Sequence, residues 1–293
     1  MRIAVTGTHG QVVTALVERG AGHVKILPVG RPLLDLGDRA SVASALADCQ
    51  CDVIVNAAAY TAVDKAETEQ ELAMRVNGEG AGYVAEAAAG LGVPLLHLST
   101  DYVFDGALDR PYHEDDETGP TGAYGRSKLE GENRVLAAQP NSAVLRTAWV
   151  YSPFGANFLR TMLRLGETRE EIGVVADQIG NPTSALDIAD AVLDVAERII
   201  GDSSSELRGV FHMTGRGDAS WADFAEAIFT EAQKHGRAPV RVKRITTADY
   251  PTPARRPANS RLDNSKLQDI YGVSLPHWSD SVRTCVARLL TGD

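Results

Sequence analysis

The sequence predicts an α/β protein, built on a doubly wound parallel sheet and completed by a smaller C-terminal lobe. The first half of the 293 residues alternates short apolar runs with longer helical patterns, which is typical of βαβ units around a parallel sheet. Such crossovers are almost always right-handed, so a doubly wound sheet is the expected topology. After about residue 150 the alternation loosens, and no linker of distinct composition separates the two parts.

The elements of the first half follow one another at short intervals. Apolar and β-branched runs predict five strands, over residues 2–6, 24–29, 52–56, 94–99 and 143–146. Helical patterns predict four helices, over residues 11–19, 41–47, 69–89 and 122–138. Glycines end two of these helices, Gly20 the first and Gly90 with Gly92 the third.

The second half supports a coarser interpretation. Amphipathic patterns predict helices over residues 157–165, 185–200 and 221–235, with a strand over residues 210–213. Residues 236–266 are rich in proline and arginine, and we interpret them as loops and short elements around a ligand pocket. We therefore expect residues 1–150 to form the sheet domain, with a segment at about 175–215 returning to it. Residues 151–293 would mainly form the second lobe.

Charge and cysteine content exclude several classes of protein. The chain has 29 basic and 39 acidic residues and a formal net charge of −10, which argues against binding nucleic acid or an anionic membrane surface. No apolar run approaches the roughly 18–20 residues of a membrane span. The three cysteines, Cys49, Cys51 and Cys285, show neither metal-binding nor redox spacing. We therefore expect reduced thiols in a cytoplasmic enzyme.

The first predicted strand runs into a glycine turn and then directly into a helix. Gly7 and Gly10 let backbone N–H groups approach a pyrophosphate, and the helix N-terminus adds partial positive charge. This context favours a Rossmann-type dinucleotide-binding domain over an ordinary turn. Val13 replaces the third glycine of the usual pattern, and Arg31 follows the second strand, where an acidic residue would bind the ribose of NAD. Arg31 therefore favours NADPH, unless it is a solvated loop residue.

A tyrosine and a lysine lie four residues apart on a predicted helix. Tyr124 and Lys128 therefore share one helix face, where the ammonium group can stabilise a phenolate and lower the pKa of the tyrosine. The fourth strand ends at Thr100, whose hydroxyl points into the crevice outside the sheet and can hydrogen-bond a substrate oxygen. Small residues at 56–61, after the third strand, leave room for a cofactor. Each feature also has an ordinary structural explanation, but their order along the chain favours a catalytic site beside a dinucleotide.

These residues lie in longer stretches that resemble the extended short-chain dehydrogenase/reductase family. The matching stretches are VNAAAYTAVDKAE (55–67), STDYVFDG (99–106), YGRSKLEGE (124–132), RTAWVY (146–151), DQIGNPT (177–183) and YPTPARRPANSRL (250–262). They span nearly the whole chain, including the C-terminal third, where members of this fold differ most. The resemblance implies that the sheet domain binds NAD(P)H and that the second lobe mainly binds substrate.

The resemblance also implies the reaction, which is NAD(P)H-dependent reduction of the 4-keto group of dTDP-4-dehydro-L-rhamnose to dTDP-L-rhamnose. Tyr124 would donate the proton to the forming alkoxide, and Thr100 would hydrogen-bond the reacting oxygen. Lys128 would hold the nicotinamide ribose and lower the pKa of the tyrosine. NADPH is the expected cofactor, with NADH left open. Some family members form homodimers through a metal ion; a homodimer is left open here, and no spacing of residues indicates a metal site.

Two sets of contacts follow from the glycine turn and the resemblance together. The expected cofactor-binding residues are Gly7, His9, Gly10, Gln11, Val12, Arg31, Asp35, Leu36, Ala57, Ala59, Tyr60, Thr61, Leu98, Tyr124 and Lys128. The expected substrate-binding residues are Thr100, Asp101, Tyr102, Trp149, Asn157, Arg256 and Arg261. Trp149 would form an aromatic wall for the sugar, unless it is a core residue. Residues 234–266 carry nine basic and two acidic side chains, and the arginines suit the diphosphate of a nucleotide sugar.

Two other functions remain open at this stage. A nucleotide-sugar 4-epimerase or 4,6-dehydratase on the same scaffold would retain a tightly bound NAD. Against a dehydratase, Asp101 is followed by Tyr102 rather than by a glutamate. A non-catalytic relative serves as a regulatory subunit of methionine adenosyltransferase, but the presence of Thr100, Tyr124 and Lys128 argues for catalysis.

Overall fold

The structure, a computed structural model, describes residues 1–292 and contains thirteen strands and eleven α-helices in that range. The strands are β1 Arg2–Thr6, β2 Lys25–Val29, β3 Val53–Asn56, β4 Leu95–Thr100, β5 Ser142–Thr147, β6 Val150–Tyr151, β7 Glu171–Val175, β8 Ile179–Gly180, β9 Thr183–Ser184, β10 Gly209–His212, β11 Ala219–Ser220, β12 Arg241–Ile245 and β13 Asn259–Ser260. The helices are α1 Gln11–Gly20, α2 Arg39–Ala47, α3 Val63–Ala66, α4 Gln70–Ala73, α5 Gly80–Leu91, α6 Ala123–Ala138, α7 Phe158–Gly166, α8 Ala185–Gly201, α9 Trp221–Lys234, α10 Ser265–Tyr271 and α11 Trp278–Thr291.

The central sheet has six parallel strands in the order β2-β1-β3-β4-β5-β10. The predicted Rossmann-type α/β class is therefore confirmed, and each strand predicted for the first half is present within about two residues of its expected ends. The order of strands along the chain reverses between β1 and β3. In open α/β sheets, ligands bind outside the carboxyl ends of the strands at such a reversal.

Alternate residues of the central strands enter two hydrophobic cores, one on each face of the sheet. Along β3, Val53 and Val55 pack toward α1 and α8, while Ile54 packs toward α2, α5 and α6. All of these strand residues are fully buried. Burial on both faces explains why the strands appear in the sequence as continuous apolar runs rather than as alternating patterns.

The predicted continuous helix over residues 69–89 is wrong, because the structure divides this stretch. A one-turn π-helix, Met74–Glu79, lies between α4 and α5. The wider turn points Asn77 inward, where its amide accepts from the Tyr60 backbone N–H at 2.7 Å and donates to Ser127 Oγ at 2.9 Å. The π-helix therefore connects the segment after β3 with α6, as π-turns near functional sites often do.

The C-terminal part contains elements that the sequence interpretation left as loops or did not assign. Strand β12 lies within the supposed loop region and pairs in parallel with β7. Helices α10 and α11 were not predicted, although Trp278, Val282, Cys285 and Val286 recur at helical spacing and are buried. Helix α11 returns to the sheet domain, where Arg288 forms an ion pair with Glu18 of α1 at 2.6 Å.

Among the helices of residues 1–292, none combines the length and the apolar character needed to cross a bilayer.

Candidate active site

An open cleft of about 830 Å³ lies at the carboxyl ends of the central strands, where the strand order reverses. Its size falls within the range of small-molecule and cofactor pockets. Thirteen of the predicted cofactor-binding residues line it, namely Gly7, His9, Gly10, Gln11, Val12, Arg31, Leu36, Ala57, Ala59, Thr61, Leu98, Tyr124 and Lys128. The cleft therefore gathers residues from the turns after several strands and from α6.

The glycine turn forms one end of this cleft. Gly7 has a φ of +96°, a conformation that side-chain-bearing residues rarely adopt. Thr6 fixes the turn against the end of β3, because its hydroxyl donates to Asn56 Oδ1 at 2.7 Å and accepts from the backbone N–H of Ala57 at 3.0 Å. In the described structure no side chain caps the N-terminus of α1, which begins at Gln11. Its backbone N–H groups face the cleft and suit a diphosphate.

A segment from the second half of the chain covers the glycine turn. The side-chain oxygen of Gln11 accepts hydrogen bonds from Ser152 Oγ at 2.7 Å and from Asn157 Nδ2 at 3.0 Å. Asn157 also caps α7 through the backbone N–H of Arg160. Asn157 was predicted to contact substrate, but the structure places it against Gln11, next to the glycine turn and outside the lining of the cleft.

The predicted catalytic side chains converge beside the cleft. A Cβ on Gly125 would collide with the Tyr102 carbonyl oxygen, so glycine at this position allows α6 to approach the chain just after β4. This approach brings the Tyr124 phenol next to Thr100, whose own hydroxyl donates to Asp101 Oδ1 at 3.0 Å. Lys128, one turn further along, donates from Nζ to the Leu98 carbonyl at 2.7 Å.

Burial shifts the pKa values of Tyr124, Asp101 and Lys128. Burial raises the pKa of Tyr124 above its ordinary value, the contact with Thr100 lowers it in part, and the carboxylate of Asp101 raises it further. Burial also raises the pKa of Asp101 to about 6 and lowers the pKa of Lys128 to about 8. At neutral pH Tyr124 therefore carries its proton, as a general acid requires.

Arg256 lies close to Tyr124. Its guanidinium forms an ion pair with Asp64 at 2.8 Å and donates to the Tyr102 hydroxyl at 3.0 Å. The Tyr102 ring in turn meets the Tyr124 ring edge to face, with centroids 5.6 Å apart. These contacts place Arg256 and Tyr102 beside Tyr124, although neither lines the main cleft.

Two further predicted substrate contacts are held by other protein groups. Arg261 donates from Nε to Asn259 Oδ1 at 2.8 Å and lies 3.5 Å from the carboxylate of Asp218. Trp149 stacks on Trp221 with ring centroids 3.6 Å apart, and its backbone has a φ of +47°. Such a conformation is uncommon for a bulky residue and marks a site of stored strain.

Asp35 and Tyr60 were predicted to contact the cofactor, and the structure does not bring either to the lining of the cleft. Asp35 accepts from the Gly37 backbone N–H at 2.9 Å, and the Tyr60 hydroxyl donates to Glu69 at 2.6 Å. Arg31 lies at the rim with its side chain 75% exposed and 3.8 Å from the Asp35 carboxylate. Its guanidinium is therefore available to solvent or to a ligand.

Sequence reasoning missed part of the cleft lining. The missed residues include Thr8, Val13, Gly30, Leu34, Ala58, Val76, Ser99, Thr147, Val150, Gly155 and Ala156. Several are direct neighbours of predicted positions and could have been found by extending each strand end. Gly155 and Ala156 approach from the segment that covers the glycine turn, and no local pattern places them there.

A parallel sheet with a glycine turn at its strand-order reversal, and a Tyr–Lys–Thr group beside the same cleft, defines a dinucleotide-binding protein of the short-chain dehydrogenase/reductase type. Within that class, the family model described as RmlD substrate binding domain matches residues 1–291, and the chain belongs to this family.

Several relatives match almost the whole chain. The dTDP-4-dehydrorhamnose reductase of Sinorhizobium fredii is 54% identical over 99% of this chain and 98% of its own length. The crystal structure of a dTDP-4-dehydrorhamnose reductase from Clostridium acetobutylicum superposes with a TM-score of 0.91 at 38% identity, covering 99% of both chains. That of the Bacillus anthracis enzyme in complex with NADP has a TM-score of 0.90 at 34% identity, covering 97% of this chain and 98% of the other.

Proposed function

We propose that this protein is an NAD(P)H-dependent oxidoreductase that reduces the 4-keto group of dTDP-4-dehydro-L-rhamnose, giving dTDP-L-rhamnose. The observation that carries the proposal is the convergence of Tyr124, Lys128 and Thr100 beside the cleft, which the glycine turn also lines. Relatives that match this chain over nearly their full length are dTDP-4-dehydrorhamnose reductases, and one of them binds NADP.

The residues of the cleft fit a dinucleotide. The turn at Gly7 presents backbone rather than side chains, and the open N-terminus of α1 suits the diphosphate. The small residues Ala57 and Ala59 line the cleft, and so do Leu98 and Lys128 together with Tyr124. The bound nicotinamide supplies the hydride that reduces the sugar carbonyl carbon.

Side chains of the protein donate the proton that the reaction requires and stabilise the charge that its loss leaves. Tyr124 is protonated at neutral pH and gives its phenolic proton to the carbonyl oxygen, so that the product gains a hydroxyl group. Thr100, which contacts the same phenol, holds the reacting oxygen by a hydrogen bond. The phenolate that Tyr124 becomes is stabilised by the Lys128 ammonium, which lies one helical turn away.

The two parts of the chain bind different ligands. Residues 1–150, with the segment at about 175–215, bind the cofactor, and the rest mainly binds the dTDP-linked sugar. The exposed Arg31 at the rim of the cleft supports NADPH over NADH, because a guanidinium can pair with a 2′-phosphate. The enzyme acts in the cytoplasm and does not bind nucleic acid, in keeping with its acidic net charge.

The experiment compares oxidation of NADPH and of NADH with dTDP-4-dehydro-L-rhamnose, using wild type and Tyr124→Phe. Removing the proton donor is expected to lower kcat at least about a hundredfold while the cofactor still binds. Tyr83→Phe is the matched control, because Tyr83 is a tyrosine on α5 outside the cleft lining, and it should keep full activity.

Two outcomes would overturn the proposal. Wild type without turnover on either cofactor, together with a stoichiometric synthetase partner in a pull-down, would favour a regulatory subunit. Copurification of tightly bound NAD without net cofactor oxidation would favour an epimerase. Full activity of Tyr124→Phe would remove Tyr124 from its proposed role.

A further inference from the structure

A buried cluster of Ser99, Glu132 and Arg146 lies directly behind the catalytic group, and we call it the Ser–Glu–Arg cluster. Ser99 Oγ donates to Glu132 Oε1 at 2.5 Å, and Arg146 Nη2 donates to Glu132 Oε2 at 2.7 Å. The Glu132 and Arg146 side chains are 2% and 4% exposed. Because the three residues come from β4, α6 and β5, the cluster joins three elements around the active site.

Stability alone does not account for such a cluster. A buried ion pair loses the hydration of both charges, and replacing it by well-packed apolar residues is often neutral or stabilising. The pair between Glu132 and Arg146 is nevertheless placed in the interior, one helical turn from Lys128. Its position next to the catalytic lysine therefore points to a functional reason.

The Ser–Glu–Arg cluster and Lys128 both hold helix α6 against strand β4. Lys128 Nζ donates to the carbonyl of Leu98, and the next residue of β4, Ser99, donates to Glu132. Lys128 and Glu132 are four residues apart on α6 and share one face. Two adjacent polar contacts therefore hold this face of α6 against the end of β4.

Glu132 also supplies the negative charge that acts on Lys128. Burial lowers the pKa of Lys128 to about 8, and the Glu132 carboxylate opposes this shift. On the neighbouring elements, His97 of β4 interacts with the lysine, Tyr124 lies one turn earlier on α6, and Arg146 of β5 pairs with Glu132. His97 is neutral, because burial and the Lys128 ammonium hold its pKa well below the ordinary value.

The hydrogen bonds of Glu132 show how it acts. Both carboxylate oxygens accept donors from Arg146, and Oε1 also accepts from Ser99. The carboxylate therefore contributes charge near Lys128, while the lysine donates to Leu98 instead.

We propose that Glu132 is a positioning residue of this active site, which holds Lys128 against the end of β4 through the Ser–Glu–Arg cluster and places a carboxylate on the same helix face as its ammonium group. The catalytic consequence rests on the proposed function. The effect on the protonation of Lys128 does not, because it belongs to the protein without cofactor or substrate.

The direct test follows the titration of Lys128 in the cofactor-free protein. The chain has six lysines, so ¹³C-labelled lysine side chains can be resolved by NMR and Lys128 assigned with Lys128→Arg. Glu132→Gln keeps the shape of the side chain and removes its charge, and it should lower the pKa of Lys128 by about one unit. Glu130→Gln is the matched control on the same helix, since Glu130 is partly exposed and pairs with Arg134. An unchanged Lys128 titration in Glu132→Gln overturns the proposal.

The kinetic test is the pH profile of kcat. Lys128 acts when protonated, so kcat falls as pH rises through its pKa, and a lower pKa moves that fall to lower pH. Glu132→Gln should match wild type near pH 6 and be about tenfold slower near pH 9. A loss of the same size at every pH would indicate a structural role only and contradict the proposal. If wild type shows no turnover, the proposed function fails while the NMR result stands on its own.

A second variant covers the case in which Glu132→Gln leaves Arg146 unpaired and does not fold. Glu132→Gln/Arg146→Gln removes both buried charges and keeps groups that can hydrogen-bond. The pKa of Lys128 should still lie below its wild-type value, because the Glu132 carboxylate that opposes the effect of burial is absent. A wild-type titration of Lys128 in this folded variant would overturn the proposal.

Discussion

The proposed cofactor side and the proposed substrate side of the active site are built differently. The cofactor side consists largely of backbone and small residues, with Gly7, Ala57 and Ala59 open to the cleft. On the substrate side, Arg256 and Trp149 are polar or aromatic side chains already engaged by protein partners. The cofactor side therefore offers mainly backbone and small residues to a ligand, whereas the substrate side offers side chains that already have partners within the protein.

The largest expected effect comes from the residue that joins the two sides. In Gly125→Ala, the new methyl group collides with the Tyr102 carbonyl oxygen, so that α6 and Tyr124 are displaced. Misplacing a reacting group by about 1 Å can cost about a hundredfold in rate, and kcat should fall by that order. Gly90→Ala is the control, because open space surrounds Gly90 at the end of α5. A normal kcat in Gly125→Ala would show that the close approach of α6 is dispensable.

The next effect tests the cofactor side alone. Gly7→Ala forces a side chain into a backbone conformation with φ of +96°, at a cost of about 1–3 kcal/mol. We expect the Kd for NADPH to rise about tenfold or more, measured by calorimetry, with the KM for the sugar unchanged. Gly22→Ala is matched in conformation, with φ of +90° and open surroundings outside the cleft lining, and it should lose stability but not cofactor affinity. Equal loss of affinity in both variants would contradict this assignment.

The substrate side is tested through the ion pair between Asp64 and Arg256. Asp64→Asn removes the charge that holds the guanidinium beside Tyr102. We expect the KM for the sugar to rise by roughly threefold to tenfold, equivalent to about 1 kcal/mol for a partly buried pair, while the Kd for NADPH stays constant. Glu86→Gln breaks a surface pair with Arg39 and is the control. A change in cofactor affinity with an unchanged KM would reverse the division between the two sides.

The smallest effect concerns cofactor preference at the rim. Arg31 is exposed, so its contribution is screened by solvent and salt. Arg31→Ala should weaken NADPH binding by a few-fold and leave NADH binding unchanged, with the difference shrinking at high ionic strength. Equal weakening of both cofactors would show that Arg31 does not contact a 2′-phosphate.

The same contrast explains what the sequence could predict. The glycine turn, the Tyr–Lys spacing and the polar end of β4 are local patterns, because a strand or helix period alone decides which way those side chains point. Strand β12 was missed because its partner β7 lies 70 residues earlier. The π-helix was missed because it is stabilised by hydrogen bonds of Asn77 with Tyr60 and Ser127, which lie 17 and 50 residues away in the sequence. Structure that depends on contacts distant in sequence leaves no local pattern.

The substrate side was the hardest part of the site to predict from the sequence. Arg256 and Arg261 were selected as diphosphate ligands from charge and from the resemblance. In the structure Arg256 pairs with Asp64, and Arg261 is held by the neighbouring Asn259 and lies near Asp218. The segment's surplus of positive charge was visible in the sequence, but its partners Asp64 and Asp218 were not, since they lie far away in the chain. Their roles toward the substrate remain predictions.

The most direct test of the central claim is the fate of the transferred hydrogen. The protein is incubated with dTDP-4-dehydro-L-rhamnose and NADPH deuterated on the face from which hydride leaves, and the product is analysed by mass spectrometry and NMR. A reductase that transfers hydride from the cofactor to C4 gives dTDP-L-rhamnose with one deuterium at C4 and one equivalent of oxidised cofactor. Product without deuterium at C4, or sugar turnover without net oxidation of the cofactor, would contradict the proposed reaction.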